Sequence, residues 1–376
     1  MWMGLLAASA LLGQGYYPER HEWERRRPEE AGFDGAKLRA AIAFAQSKET
    51  QMPRDLRLSH DLSFGREMHG EPLGPFQPRG EMTGVIVRGG YLVAEWGEPE
   101  RVDLTYSVTK SFLSTTVGLA VAEGLIRSVD DPVRRYVTTG EFEGPLNGKI
   151  TWDHLLRQTS DWEGTLWGKP DWADRPPAGK AVLEYRARKH NEPGTSWKYN
   201  DVRVNLLALA ALQVWRRPLP QVLRERVMDP IGASTTWRWH GYENSWVELD
   251  GVKMQSVAGG AHWGGGMWIH ARDQARFGLL TARNGVWKGK QLMAAEWIRQ
   301  ARTATKVQPD YGYMNWYLNT GRKRWPSAPE HVYAHVGNGA NLILCDAEKD
   351  MVVVLRWIDN AAVDKFLEYL YGAVSK

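Results

Sequence analysis

Ser107 and Lys110 stand three positions apart in Thr105-Tyr106-Ser107-Val108-Thr109-Lys110-Ser111-Phe112, a spacing that suits nucleophilic chemistry. The run continues through Leu113, Val117, Leu119 and Val121 to a stop at Gly124, which predicts a helix opening at this octet. On a helix, side chains at i and i+3 share a face, so the amine can take the hydroxyl proton and activate a weak nucleophile. The helix N-terminus adds unpaired N–H groups and a partial positive charge, both suited to an oxyanion. Tyr199, in Trp197-Lys198-Tyr199-Asn200-Asp201, opens an apolar helix. It either shuttles protons beside the serine and lysine or packs next to an N-cap Asp201. In the first case a nearby ammonium lowers its pKa by favouring the phenolate. His335-Val336-Gly337-Asn338-Gly339 leads into a strand whose edge could border the site, with the Asn338 N–H as a second oxyanion donor.

Other chemistries lack their residues. There is no G-x-S-x-G, P-loop, G-x-G-x-x-G or H-E-x-x-H. His331 and His335, at i and i+4 on a strand, lie about 13 Å apart, too far to share an ion. The single cysteine, Cys345, permits no intrachain disulfide and reads as a small buried residue. Neither a metal nor a cofactor is expected. The net charge of +4 is mild, and Arg25-Arg26-Arg27 is only a short basic run, so nucleic acid is not an expected partner. Residues 1–15 carry an apolar stretch from Leu5 to Leu12 that resembles a signal peptide, and export to the periplasm or beyond is expected. No later segment is long enough for a stable membrane span. The 19 Trp residues suit an aromatic-lined cleft.

The elements that must position these residues follow from pattern. Asp34 caps a helix from Gly35 to Lys48, and Glu49 to Gly80 reads as a long irregular loop, a type that is often functional or lid-like. Thr83–Val87 and Leu92–Trp96, joined at Arg88-Gly89-Gly90, form a hairpin. From Ser128 to about Gly251 the chain reads as helices and loops, including Trp152–Arg157, Asp201–Trp215 and Val222–Met228. The glycine-rich run Gly259–Gly266 marks tight turns before helices Ala271–Ala282 and Ala294–Ala301. A second hairpin, Asn341–Cys345 with Met351–Trp357, and a helix over Ala361–Ala373 close the chain. The expected fold class is α/β (α+β). An antiparallel sheet built from both chain ends (residues 16–127 and 252–376) is flanked by helices, and an all-helical lobe (128–251) is inserted between the two parts.

S-x-x-K, then Tyr at a helix start, then H-x-G before a C-terminal hairpin resemble the serine β-lactamase and penicillin-binding-protein superfamily. The likeness is greatest to its class C-like branch of D-alanyl-D-alanine carboxypeptidases, family VIII carboxylesterases and 6-aminohexanoate-oligomer hydrolases. It spans roughly Arg27 to Gly372 and includes Asp130-Asp131-Pro132-Val133, His154-Leu155-Leu156 before Thr159-Ser160, and Ala271-Arg272-Asp273-Gln274-Ala275-Arg276-Phe277. The resemblance implies acyl transfer through Ser107, with Lys110 and Tyr199 as base and acid. Backbone N–H groups of Ser107 and Asn338 would hold the oxyanion, and His335, Gly337 and Asp201 would orient the substrate. Tyr106, Trp162, Trp167, Trp172, Trp263 and Tyr313, with Tyr311 and Trp316, are expected to line a pocket, core packing being the alternative for each.

Three departures bear on substrate. Tyr199-Asn200-Asp201 replaces Y-x-N, His335-Val336-Gly337 replaces K-T-G, and Thr159-Ser160-Asp161 replaces T-S-G. An acid repels a substrate carboxylate, and a histidine offers it less charge than a lysine. The expected partner is therefore a small-molecule ester or amide. The alternative is a penicillin-binding protein or weak β-lactamase that acylates and turns over slowly. Oligomeric state is left open.

Overall fold

The computed structural model describes residues 15–375. The expected leader at residues 1–15 therefore lies, save for Gly15, outside the described residues. Two strands from the N-terminal part, β1 (Thr83–Arg88) and β2 (Tyr91–Trp96), join four from the C-terminal part. These are β3 (Trp316–Leu318), β4 (Tyr333–Gly337), β5 (Asn341–Asp346) and β6 (Met351–Arg356). They make one antiparallel sheet in the order β3-β4-β5-β6-β1-β2. The β1–β6 pairing, Thr83 opposite Arg356 and Val85 opposite Val354, ties the two chain ends together. Every residue of β6 is buried, as expected of a central strand covered on both faces.

Helices supply the cover. One face carries α1 (Gly35–Gln46), capped by the Asp34 carboxylate, and the C-terminal helix Val363–Ala373. Leu38, Ala41, Phe366 and Leu370 pack there on Ile86, Val353 and Leu355. The loop expected over Glu49–Gly80 contains a helix, α2 (Leu56–Leu62), capped by Asp55. The loop also docks: the amides of Leu73 and Gly74 both donate to Trp263 O at 2.9 Å. On the other face of the sheet, Ala271–Ala282 lies between it and α3 (Thr109–Ala122), with Phe277 and Phe112 rings 4.3 Å apart. Behind them is α4 (Asp201–Trp215), buried almost all round. A helix apolar on every side must sit inside the protein rather than on its surface.

The stretch from Ser128 to Gly251 is not purely helical. Arg238–Leu249 is a strand of 12 residues that pairs with Val252–Val257 and, further back, with Gly266–Ile269. Asp103–Leu104 completes this four-stranded sheet. The register shifts between Gly241 and Trp246, which breaks the alternation by which strands are recognised. Gly251 lies in the turn of this hairpin.

Candidate active site

The backbone before α3 is not the helical first turn expected. Tyr106–Val108 form a 3₁₀ turn, and Tyr106 takes a left-handed φ of 47°. Such a conformation is costly for a bulky residue and persists only where surroundings enforce it. Here the Tyr106 ring is buried among Leu56, Leu104, Ala261 and Trp357, so Tyr106 is a core residue rather than a pocket residue. The turn is fastened to the strand Gly266–Ile269 by Thr105 N donating to Met267 O at 3.0 Å and Met267 N donating to Thr109 Oγ1 at 2.9 Å. Ser107, 8% exposed, follows directly.

Lys110 Nζ donates to Ser107 Oγ at 2.8 Å and lies 2.8 Å from Asp201 Oδ1. The lysine has no solvent exposure and the aspartate almost none. Burial pushes the lysine pKa down; Asp201 opposes that shift and Arg175 adds to it. For Asp201, burial would raise the pKa, but Lys110 and Arg175 hold it well below the usual carboxylate range. The cap of α4 is Asn200, whose side chain accepts from Arg203 N at 3.1 Å, which leaves the Asp201 carboxylate free to face the lysine. The glycine-rich run lies on this pair: a Cβ on Gly260 would overlap both Lys110 Nζ and Asp201 Oδ2.

Tyr199 reaches the same place from the residues preceding α4. Its hydroxyl faces Ser107 and Asn315, and Lys110 Nζ is 4.7 Å from its ring centroid. Burial first, and then Asp201, push its pKa up, so the phenolate favoured by a neighbouring ammonium gives way to a phenol. Tyr311, Trp197 and Tyr317 continue this aromatic wall, with Tyr311 5.4 Å from Trp197 and 5.1 Å from Tyr317.

Beyond Asp201 lies a chain of charges that sequence reading missed. Arg175 Nη1 is 3.6 Å from Asp201 Oδ1 and pairs with buried Asp174. His262 is 2.8 Å from Glu67 through Nε2 and 3.6 Å from Asp174 through Nδ1. Glu67, Asp174 and His262 are the group of potential metal ligands that comes together among the described residues. Arg175 already supplies the counter-charge to Asp174, and the two ring nitrogens face different carboxylates, so the cluster reads as a polar network linked by hydrogen bonds and the Arg175–Asp174 ion pair.

The third motif divides. Gly337 runs against the nucleophile turn, where a Cβ would meet Ser107 N at 3.1 Å and overlap Thr105 O. Only glycine lets β4 approach so closely. Asn338 follows it, exposed, with its carbonyl accepting from Asn341 Nδ2 at 2.7 Å. His335 does not line the site. It is wholly buried between Phe277 and Trp316, and burial pushes its pKa down to about 3, so it packs as a neutral ring.

Most of the expected pocket aromatics are also core. Trp162, Trp263, Tyr313 and Trp316 are 2% exposed or less. Trp162 Nε1 donates to Glu141 O at 2.6 Å, and Tyr313 Oη to Asp153 at 3.0 Å. Trp167 and Trp172 are half-buried, and Trp172 stands against His69 and Arg186. Asp161 takes the left-handed φ of 40° that the glycine of T-S-G would adopt, and binds Arg188 and Arg203.

A sheet sewn from both chain ends, with an S-x-x-K serine at a helix entrance beneath it, defines a β-lactamase-like fold. The β-lactamase family profile matches residues 82–360, and the chain belongs to that family. A curated relative, an uncharacterised protein of Alkalihalophilus pseudofirmus, is 24% identical over 237 residues, covering 56% of this chain and 59% of its own length. This chain therefore spans less than two thirds of that relative. Among solved structures, a family VIII carboxylesterase superposes with a TM-score of 0.57 at 16% identity, over 90% of this chain and 97% of the other. A penicillin-binding-protein homologue from Caulobacter crescentus gives 0.56 at 14% identity, over 90% and 97%. These likenesses establish the fold. Among the described residues, no helix is long and apolar enough to cross a membrane.

Proposed function

We propose that the protein is a serine hydrolase that cleaves a small ester or amide through an acyl-enzyme on Ser107. The observation that carries this reading is the buried contact of Lys110 Nζ with Ser107 Oγ at 2.8 Å, with the Tyr199 hydroxyl facing the same serine. In the reacting form the neutral amine accepts the Ser107 proton as Oγ bonds to the carbonyl carbon. The phenol passes that proton to the leaving group as its bond to the carbonyl breaks. Water then attacks the acyl ester, gives its proton to the same pair and restores Ser107. The N–H groups of Ser107 and Asn338 hold the oxyanion; the close approach of Gly337 to the Ser107 amide supports this pairing. Membership of a family that includes esterases, amidases and penicillin-binding proteins supports this reading. Export rests on the leader-like residues 1–15 alone.

Turnover of p-nitrophenyl butyrate tests it: Ser107→Ala should lose about 10⁴-fold or more with an unchanged circular dichroism spectrum. Full activity in that variant rejects the assignment. The Asp201–Lys110 pair favours a second reading, slow deacylation, because a pinned ammonium is a poor base for water. A penicillin pulse followed by mass spectrometry would then leave a lasting adduct on Ser107, and free enzyme within minutes would reject it.

A further inference from the structure

Arg175 carries a charge that the reaction as described leaves unused. Its Nη1 lies 3.6 Å from Asp201 Oδ1, the oxygen that is 2.8 Å from Lys110 Nζ. Its Cζ is 5.0 Å from the Tyr199 ring centroid and 5.4 Å from that of Phe64, and its backbone N–H donates to Glu67 Oε2 at 3.4 Å. It is thus held between the docked 49–80 segment and the lysine. A buried carboxylate in contact with an amine favours the ammonium, and an ammonium cannot take the proton from Ser107. A guanidinium is always charged, so it matches Asp201 whether or not Lys110 carries its proton.

We propose that Arg175 is a positioning residue: by neutralising Asp201 it frees Lys110 to give up its proton and serve as the base. This rests on the serine-hydrolase reading above. The groups facing Lys110 are Ser107 on its own turn and Tyr199 and Asp201 from the start of α4. Asp174 and Arg175 stand behind Asp201, and Tyr317 of β3 closes the far side. His262 acts on Asp201, and Glu67 on Arg175. Of these, Arg175 is the fixed cation. It lowers the lysine pKa in the same direction as burial and against the pull of Asp201. Losing it therefore strengthens the ammonium and moves the acid limb of kcat/KM to higher pH.

The test is the pH profile of ester hydrolysis. Arg175→Gln should shift the acid limb of kcat/KM upward by about one pH unit, and Arg175→Lys should leave it in place. Arg175→Gln combined with Asp201→Asn should place the limb between those of the two single variants, because the two substitutions act on Lys110 with opposite sign. A purely structural arginine would instead lower kcat/KM at all pH values without moving the limb, and that result overturns the proposal. Where Arg175→Gln does not fold, Arg175→Gln/Asp174→Asn is compared with Asp174→Asn alone, so that no orphaned carboxylate is buried. The limb of the double variant should lie about one unit higher, and coincident limbs overturn the proposal. If the parent chain itself shows no Ser107-dependent hydrolysis, the hydrolase reading has failed, which is a different outcome from an active enzyme whose limb ignores Arg175.

Discussion

Asp201→Asn tests the pair at the centre of the site, because it deletes one charge and almost no volume. The Nζ–Oδ1 separation of 2.8 Å corresponds, at an effective dielectric near 20, to ~6 kcal/mol, or about four pH units on Lys110. Two features reduce that figure. Asparagine keeps an oxygen acceptor, and Arg175 already shares the same carboxylate oxygen at 3.6 Å. A downward shift of about one to two units in the acid limb of kcat/KM is the expected net effect. Stability responds in step. Lys110 titrates in the folded protein below its unfolded value near ~10.4, so between the two the unfolded chain holds more protons and stability rises with pH. Removing Asp201 lowers the folded pKa further and widens that interval at its lower end. As pH rises, the variant's Tm should therefore begin to climb at a lower pH than the parent's. Stopped-flow ester hydrolysis across pH, paired with calorimetry in the same buffers, measures both. A limb that stays in place or moves up would refute Lys110 as the group whose ionisation limits the rate.

The remaining predictions concern neighbouring positions. Gly260→Ala drives a methyl into the Lys110–Asp201 contact, and over-packing of this kind costs about 1–3 kcal/mol; thermal melts should show the loss together with a fall in kcat, while an unchanged kcat would mean that the pair is not needed. His335→Phe removes a ring that stays neutral in the fold to about pH 3 but protonates near ~6.5 when unfolded. The parent therefore loses stability as pH falls below about 6.5, and the variant should be spared ~2–3 kcal/mol of that loss by about pH 4.5, read from denaturant melts. The kcat/KM profile above about pH 5 should keep its shape in this variant, and a changed limb would restore His335 to the catalytic groups.

What could be read from the chain depended on how local the cause was. Helix Asp201–Trp215 matches its apolar run end for end, since Asn200 caps it and Arg216 leaves it with a left-handed φ of 49°. The hairpins around Gly89-Gly90 and Asp346–Asp350 were equally plain, because alternation and turn residues coincide. The strand Arg238–Leu249 was hidden by its bulge. Ser107, Lys110 and Tyr199 carried a legible spacing and order, but the 3₁₀ turn at Tyr106 depends on Leu56 and Trp357, which are distant in sequence. Arg175 gave no signal, lying in Ala173-Asp174-Arg175-Pro176-Pro177, where a charge in a proline-rich loop reads as solvated surface. The inward placement of His335, Trp162 and Trp263 was hidden for another reason. Residue type does not say which face of a strand, or which side of a loop, a large ring will take.

The charges around the serine also bear on which acyl donors can react. Lys110 is matched by Asp201, and Arg175 by Asp174 and Asp201, while the third motif contributes a neutral, buried ring where the family pattern carries a lysine. Lys110 and Arg175 thus already have their carboxylates. A β-lactam brings a carboxylate of its own, which would have to compete with Asp201 for a guanidinium already in use. A hydrogen bond to a charged group contributes about 1.5–3 kcal/mol, so a substrate deprived of one loses about 10- to 100-fold in kcat/KM. Neutral short-chain esters suffer no such loss. A chromogenic cephalosporin should therefore trail p-nitrophenyl butyrate by at least that factor, and Asp201→Asn, which releases part of Arg175, should narrow the gap. A cephalosporin turned over as fast as the ester would show that an unpaired cation is available to the substrate, and that these charge pairs are looser than 2.8 and 3.6 Å separations suggest.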